Sequence, residues 1–239
     1  MAEAEHKTES VAPSTRRPPV ADCAPIMTPH AVARRTQRAF DITALTSAAW
    51  DIAQPVAIDH DWSGRLAPTH RATRVHLLWN HSALFARFTC AQGEPLVTRE
   101  QPEFGAKVMG LWDHDVVEMF VAPDLADPQH YFEFEVAPTG EWLDVELRWS
   151  PDRRESNWAY ASAMRSAAWI GQGMVTMAME LPWAAFGRAA PIPGERWLCN
   201  LFRCVGAGAA RGYLAWRPTH TALPAFHVPQ AFAPLHFED

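Results

Sequence analysis

The sequence predicts an all-β fold: an antiparallel β-sandwich, immunoglobulin-like or jelly-roll-like, behind a disordered N-terminal tail. Three observations carry this expectation. From Phe40 onward the chain consists of short apolar runs divided by Pro, Gly, Asp and Asn. Several runs alternate with a period of two, as strands with one buried face do. Long amphipathic helical patterns are absent, and many short strands at such spacing read as a sandwich.

Taken in order, residues 1–38 hold five prolines (Pro13, Pro18, Pro19, Pro25, Pro29), few large apolar residues and no usable periodicity. That composition predicts a tail, with the folded domain spanning 39–239. Within it, Arg34, Arg35 and Arg38 read as a solvated basic linker. Thr73 to Trp79 alternates Val75, Leu77 and Trp79 against His76 and Leu78. Asn80-His81-Ser82 then forms a hairpin-like turn into Leu84 to Cys90. Val117, Met119 and Val121 share one face of the next strand, and His114, Val116, Glu118 and Phe120 the other. Parity likewise places Tyr131, Glu133 and Glu135 opposite the core-facing Phe132, Phe134 and Val136. Trp142 to Trp149 alternates most cleanly, and Val175, Met177, Met179 and Leu181 lead to a strand end at Pro182. Trp183 to Phe186 has room for one helical turn. Trp149, Trp183 and Trp197 adjoin alternating strands and are expected in the core.

Composition narrows the function. A chain of 239 residues, 48% hydrophobic, can supply one domain's core. No apolar run approaches the roughly 20 residues of a membrane span. The start, Met1 to Lys7, is charged and leads into no apolar segment, so no secretory signal is visible and a cytoplasmic address is expected. Beyond residue 38 there are 15 basic and 23 acidic residues, which argues against nucleic acid as a partner. Cys23, Cys90, Cys199 and Cys204 lack zinc-type spacing and read as reduced structural thiols. No nucleophile elbow, phosphate-cradling glycine loop or dinucleotide fingerprint is present, so no enzyme is indicated. Two carboxylates, Glu118 and Glu135, leave a residual glycoside hydrolase reading.

The most informative stretch is Leu111-Trp112-Asp113-His114-Asp115-Val116-Val117-Glu118-Met119-Phe120-Val121. A Trp in a polar loop precedes an apolar strand with one embedded Glu. A buried, unpaired Glu is costly, so Glu118 should reach solvent, a cation or a ligand. This stretch is followed by Tyr131–Gly140, Glu180–Trp183, Gly194–Arg203, Ala215–Pro218 and Phe226–Phe237. In this order and spacing the segments, from about Phe40 to Phe237, resemble the family 9 carbohydrate-binding modules and their solitary bacterial relatives.

That resemblance implies a β-sandwich that binds carbohydrate without cleaving it. Trp112 would be one wall of an aromatic clamp on a terminal sugar and Phe226 the other, where the best-known members carry Trp. Glu118 matches a ligand-contacting Glu; a structural pairing with an Arg such as Arg203 explains it equally. Glu135 stands where those modules have a ligand-binding Arg. Arg203 and His227 recur in solitary relatives, and fold-locking hydrogen bonds account for them equally well. With His114 on the Glu118 face, the candidate ligand-binding set is Trp112, His114, Glu118, Glu135, Arg203, Phe226 and His227. The expected partner is a mono- or oligosaccharide, with loops 91–110 and 150–158 deciding whether a chain end or an internal segment fits.

No cofactor is required on this reading. Structural Ca²⁺ is common in the family, and Asp59-His60-Asp61 and Asp113-His114-Asp115 are the acidic pairs with loop character. Two alternatives come from other classes: an interaction domain whose sugar site has degenerated, and a haem b-binding sandwich with Met and His axial ligands.

Overall fold

The computed structural model describes residues 29–36 and 39–239. Its strands are β1 (Ala31–Arg35), β2 (Val56–Ile58), β3 (His60–Asp61), β4 (Thr73–Trp79), β5 (Ala83–Ala91), β6 (Val116–Ala122) and β7 (His130–Val136). They continue with β8 (Trp142–Trp149), β9 (Arg154–Asn157), β10 (Arg165–Gly171), β11 (Met174–Pro182), β12 (Arg196–Val205), β13 (Gly212–Ala215) and β14 (Ala233–Glu238). The described helical segments are single 3-10 turns, including the expected one at Trp183–Phe186. None is long and apolar enough to cross a membrane.

The strands form one hydrogen-bonded path, β10-β11-β5-β4-β1-β14-β12-β6-β7-β8-β9, folded back so that its two halves face each other. Val75, Leu77, Phe88 and Met177 from one half share a core with Met119, Phe134, Trp197 and Leu201 from the other. Period-two alternation then gives each half a second face. The outer face of β12-β6-β7-β8 carries a separate cluster including Phe120, Tyr131, Val145 and Phe202. The outer face of β4-β5-β11 carries a smaller one around Ile42, Trp50 and Phe85. An all-β sandwich is therefore what forms.

Local chemistry explains the joints. Asn80 Oδ1 accepts from the N–H groups of Ser82 and Ala83 at 2.7 and 3.1 Å, which closes the β4–β5 hairpin at the expected turn. In the core, Trp197 packs edge-on against Phe186, Phe237 and Trp183 with centroids 5.0–5.8 Å apart. Trp183 and Trp197 are buried, as expected, while Trp149 is half-buried against the outer cluster. Cys90, Cys199 and Cys204 are free, buried thiols; Cys23 lies outside the described residues.

The expected boundary at residue 38 needs correction. β1 lies inside the predicted tail, yet it occupies the middle of the strand path, paired in parallel with both β14 and β4. The ladder is thus mixed, and antiparallel everywhere except at β1. Its inward residues, Ala31 and Ala33, are fully buried but too small to stand out in a Pro-rich, basic context. Arg34 and Arg35 are not a free linker either. Arg34 pairs with Glu238 at 3.0 Å, and Arg35 pairs with Asp239 at 3.2 Å while lying 5.1 Å over Trp79. Residues 1–28 of the expected tail, and Arg38, lie outside the described residues.

Removing β1 would leave β4 and β14 with unpaired backbone groups in the centre of the path. A chain beginning at Pro29 should therefore melt like the full chain, whereas one beginning at Ala39 should lose its cooperative transition or melt at least several degrees lower. Equal calorimetric melting of the two would show that β1 is dispensable.

Candidate functional site

The outer face of β6-β7-β8 and β12 opens into a cavity of about 250 Å³. The sheet supplies Glu118 from β6, Glu133 from β7, Leu147 from β8 and Cys204 from β12. Loops supply the aromatic walls, Trp112, Trp158 and Phe226, joined by Tyr213 from β13. Arg154 and His227 bring the polar groups of the surrounding segments.

Trp112 sits on a 3-10 turn, Leu111–Asp113, entered through Gly110 at φ 77°, a left-handed backbone that favours glycine. Arg211 clamps this turn. Its guanidinium donates to the carbonyls of Trp112, His114 (3.0 Å) and Gly206 (2.8 Å) and lies 5.4 Å from the Tyr213 ring. Trp112 is consequently held in place while 38% exposed. Its ring neighbour is Trp158, with centroids 6.1 Å apart. Phe226 lies with one face on Phe202, 4.1 Å away and 12° from parallel, and contributes to the cavity with the remainder. The expected Trp112–Phe226 pair thus lines one cavity, with Trp158 as a further wall. Trp158 and Arg211 were not picked out from sequence: one lies in a loop flagged only by its numbers, the other acts through backbone carbonyls.

The carboxylates are the electrostatic centre of the site. Cross-strand register sets Glu118 opposite Glu135 and Glu133 opposite Phe120, so all three side chains emerge on the same face. Their nearest oxygens lie within 4.8 Å of one another, and all three residues are buried. Among the described residues the oxygens of Glu135 meet no donor other than the neighbouring Glu133 carboxyl, a contact that bonds only when one of the two is protonated. Glu118 Oε1 has only the weak Cys204 thiol at 3.5 Å. Burial first, and the charge of the neighbouring glutamates second, push Glu118 and Glu135 well above the usual carboxylate range. Burial raises Glu133 to about 7. His227 does not neutralise them. Its Nδ1 lies 3.0 Å from the Tyr131 hydroxyl and its Nε2 is 3.9 Å from Glu133. Burial, with Arg154 nearby, lowers it to about 3, so it is uncharged at neutral pH.

Other expected residues fall elsewhere. Arg203 is on the core side of β12 and does not reach Glu118. It donates to the carbonyls of Arg71 and Ala91, both at 2.9 Å, and to Gln92 Oε1 at 2.6 Å. Neighbouring strand residues point to opposite faces, so the register that brings Glu118 and Phe202 together turns Arg203 away. Its role is fold-locking, with Arg71 and Glu94 paired beside it at 2.6 Å. His114 is half-buried outside the cavity lining, and Glu135, fully buried opposite Glu118, is not part of the wall.

Three of the four acids in the two loop pairs engage protein donors, and Asp113 is exposed. Asp61 accepts from Ser63 and Arg65, Asp59 pairs with His60 at 2.7 Å, and Asp115 accepts from Gly206 N–H at 2.7 Å. The cavity lining has one histidine and no methionine among the described residues, so it does not supply the Met–His pair of the haem reading.

The raised carboxyls have a defined thermodynamic sign. An acid whose folded pKa exceeds its unfolded value binds extra protons when folded, so stability is present below about pH 4.5 and declines as pH rises. For Glu133 the decline runs from 4.5 to about 7. His227 acts in the opposite direction between about 3 and 6.5. Glu135→Gln should therefore gain in melting temperature relative to wild type as pH rises from about 5 to 8, since it removes one of the three. A difference that stays constant or shrinks would contradict the shared-proton cluster.

No protein-family model matches the chain. A curated relative described as "Extracellular protein", from Arthroderma benhamiae, is 28% identical over 107 residues, covering 40% of this chain and 47% of that protein. The match thus spans about half of that relative's length. Among solved structures, a putative carbohydrate-binding protein from Bacteroides uniformis matches with TM-score 0.68 at 16% identity, over 88% of this chain and all of that one. A family 9 carbohydrate-binding module from Caldicellulosiruptor kristjanssonii in complex with cellotriose matches with TM-score 0.62 at 10% identity, over 88% and 94% of the two chains. The glucose complex gives 0.62 at 11% identity, over 88% and 96%. At these identities the likeness concerns architecture, and the chain has the fold of the family 9 carbohydrate-binding modules.

Proposed function

We propose that the protein binds carbohydrate non-catalytically, holding one sugar unit or a glycan end in the cavity beside Trp112. The observation that carries this reading is an exposed indole fixed by Arg211 at the mouth of a cavity containing buried carboxyls. Pyranose C–H faces pack on aromatic planes, and ring hydroxyls donate to carboxylates. The volume, about 250 Å³, is below the roughly 300–1,000 Å³ of drug-sized ligand sites, which suits a single ring more than a chain. The architecture shared with modules solved with cellotriose and glucose supports the same reading. Glu118, Glu133 and Glu135 emerge together from one sheet face, which supports binding over hydrolysis, since a glycosidase sets its two carboxyls on either side of the scissile bond.

Trp112→Ala and Trp158→Ala should each weaken sugar binding about tenfold, because an aromatic contact is worth on the order of 1 kcal/mol or more. Melting of Trp112→Ala should barely change, since this side chain lies largely outside the core. Trp197→Ala should melt far lower, since cavity formation there costs roughly 3–5 kcal/mol. Calorimetric titration with mono- and disaccharides alongside thermal melts checks all three variants. Unfolding of Trp112→Ala together with undetectable wild-type binding would overturn the reading.

A further inference from the structure

We infer that the ligand of this cavity carries a protonated amine, an amino sugar such as a hexosamine, and that Glu118 and Glu133, coupled to the buried Glu135, receive its ammonium group. The inference rests on the sugar-binding reading and names the class of sugar. Two observations carry it. First, three buried carboxyls converge with oxygens within 4.8 Å of one another, and fully buried Glu135 has no donor among the described residues other than the neighbouring Glu133 carboxyl. Second, two of the three line a cavity whose walls include four aromatic rings, Trp112, Trp158, Phe226 and Tyr213, with Arg154 also in the lining.

An ammonium is matched to both features. Its tetrahedral N–H groups, with N···O hydrogen bonds of about 2.8 Å, reach acceptors up to roughly 4.6 Å apart, and the carboxyl oxygens here lie within 4.8 Å of one another. Its charge is attracted by indole faces within about 6 Å. A neutral hydroxyl would donate one hydrogen bond and bring no charge to favour ionisation of the buried glutamates. The protein supplies only weak compensation: Arg154 favours the charged form of Glu133 and Arg211 that of Glu118, both outweighed by burial. His227 is neutral, Arg211 is engaged with three carbonyls, and Arg154 lies in the cavity wall without an ion pair among the described residues. Asp113 adds further negative charge near Glu135. Burial raises the Tyr131 hydroxyl and the Cys204 thiol, so both neighbours are neutral. Burial keeps the glutamates partly protonated in the empty site, so an arriving ammonium displaces protons to solvent.

Calorimetric titration of the full chain at about pH 6.5, where an amine of ordinary pKa is charged, should show glucosamine binding at least tenfold tighter than glucose or N-acetylglucosamine. Repeating it in two buffers of different ionisation enthalpy should reveal proton release with glucosamine and none with glucose. Glu135→Gln and, independently, Glu118→Gln should bring the glucosamine-to-glucose ratio towards one. Glucose binding as tightly as glucosamine would overturn this inference and leave the sugar-binding reading standing. No binding of any of the three sugars would overturn both. Calcium binding that depends on Glu135 and is unaffected by glucosamine would assign the cluster to a metal ion and overturn the inference.

Discussion

The pairing of Glu118 with Glu135 across β6 and β7 is the constraint around which the outer face is organised. These strands have two apolar faces, one turned to the main core and the other to the aromatic cluster outside it. Three carboxyls on such a surface cannot all be ionised without a counter-charge. They must share protons, as the upward shift of all three indicates, or meet a cation. The loops above them are arranged accordingly. Arg211 directs its donors to backbone carbonyls and positions Trp112, leaving Glu118 and Glu133 facing an open cavity.

The opposite face explains how such a surface is tolerated. Met119, Phe134 and Leu201, on alternate positions of the same strands, are fully buried against the other half of the sandwich. Arg203, one residue from Phe202, reaches through that core side to the carbonyls of Arg71 and Ala91 and ties β12 to the β4–β5 half. β1 closes the path between the halves, and Arg34 and Arg35 fasten it to the C-terminal residues. The strain of placing acids on one face is offset by a core and ladder that do not depend on them.

Period-two alternation made most of this fold legible: β4, β6, β7, β8 and β11 all carry it, and side-chain parity on β6 and β7 was read correctly down to the face that each Glu occupies. β1 was illegible because its buried residues are alanines, which mark no apolar stripe, inside a stretch whose prolines and arginines dominate its composition. In the site, Trp112, Glu118, Phe226 and His227 come together in one cavity. For Arg203 the sequence leaves ligand contact and fold-locking equally open, because a resemblance between motifs does not report which face a residue takes, and its hydrogen bonds match the second. Glu133 had been placed on the right face but not counted as a ligand group, and Trp158 could be found only once the loop after β9 was seen to lean towards Trp112.

The central claim is that the cavity between Trp112 and Phe226, above the three glutamates, is where a sugar ring binds. A crystal structure of the protein grown with glucosamine tests it most directly. The account predicts one ring against the Trp112 indole, with its amine within hydrogen-bond distance of Glu118 and Glu133. A sugar bound elsewhere on the surface, with this cavity filled by ordered water alone, would contradict it.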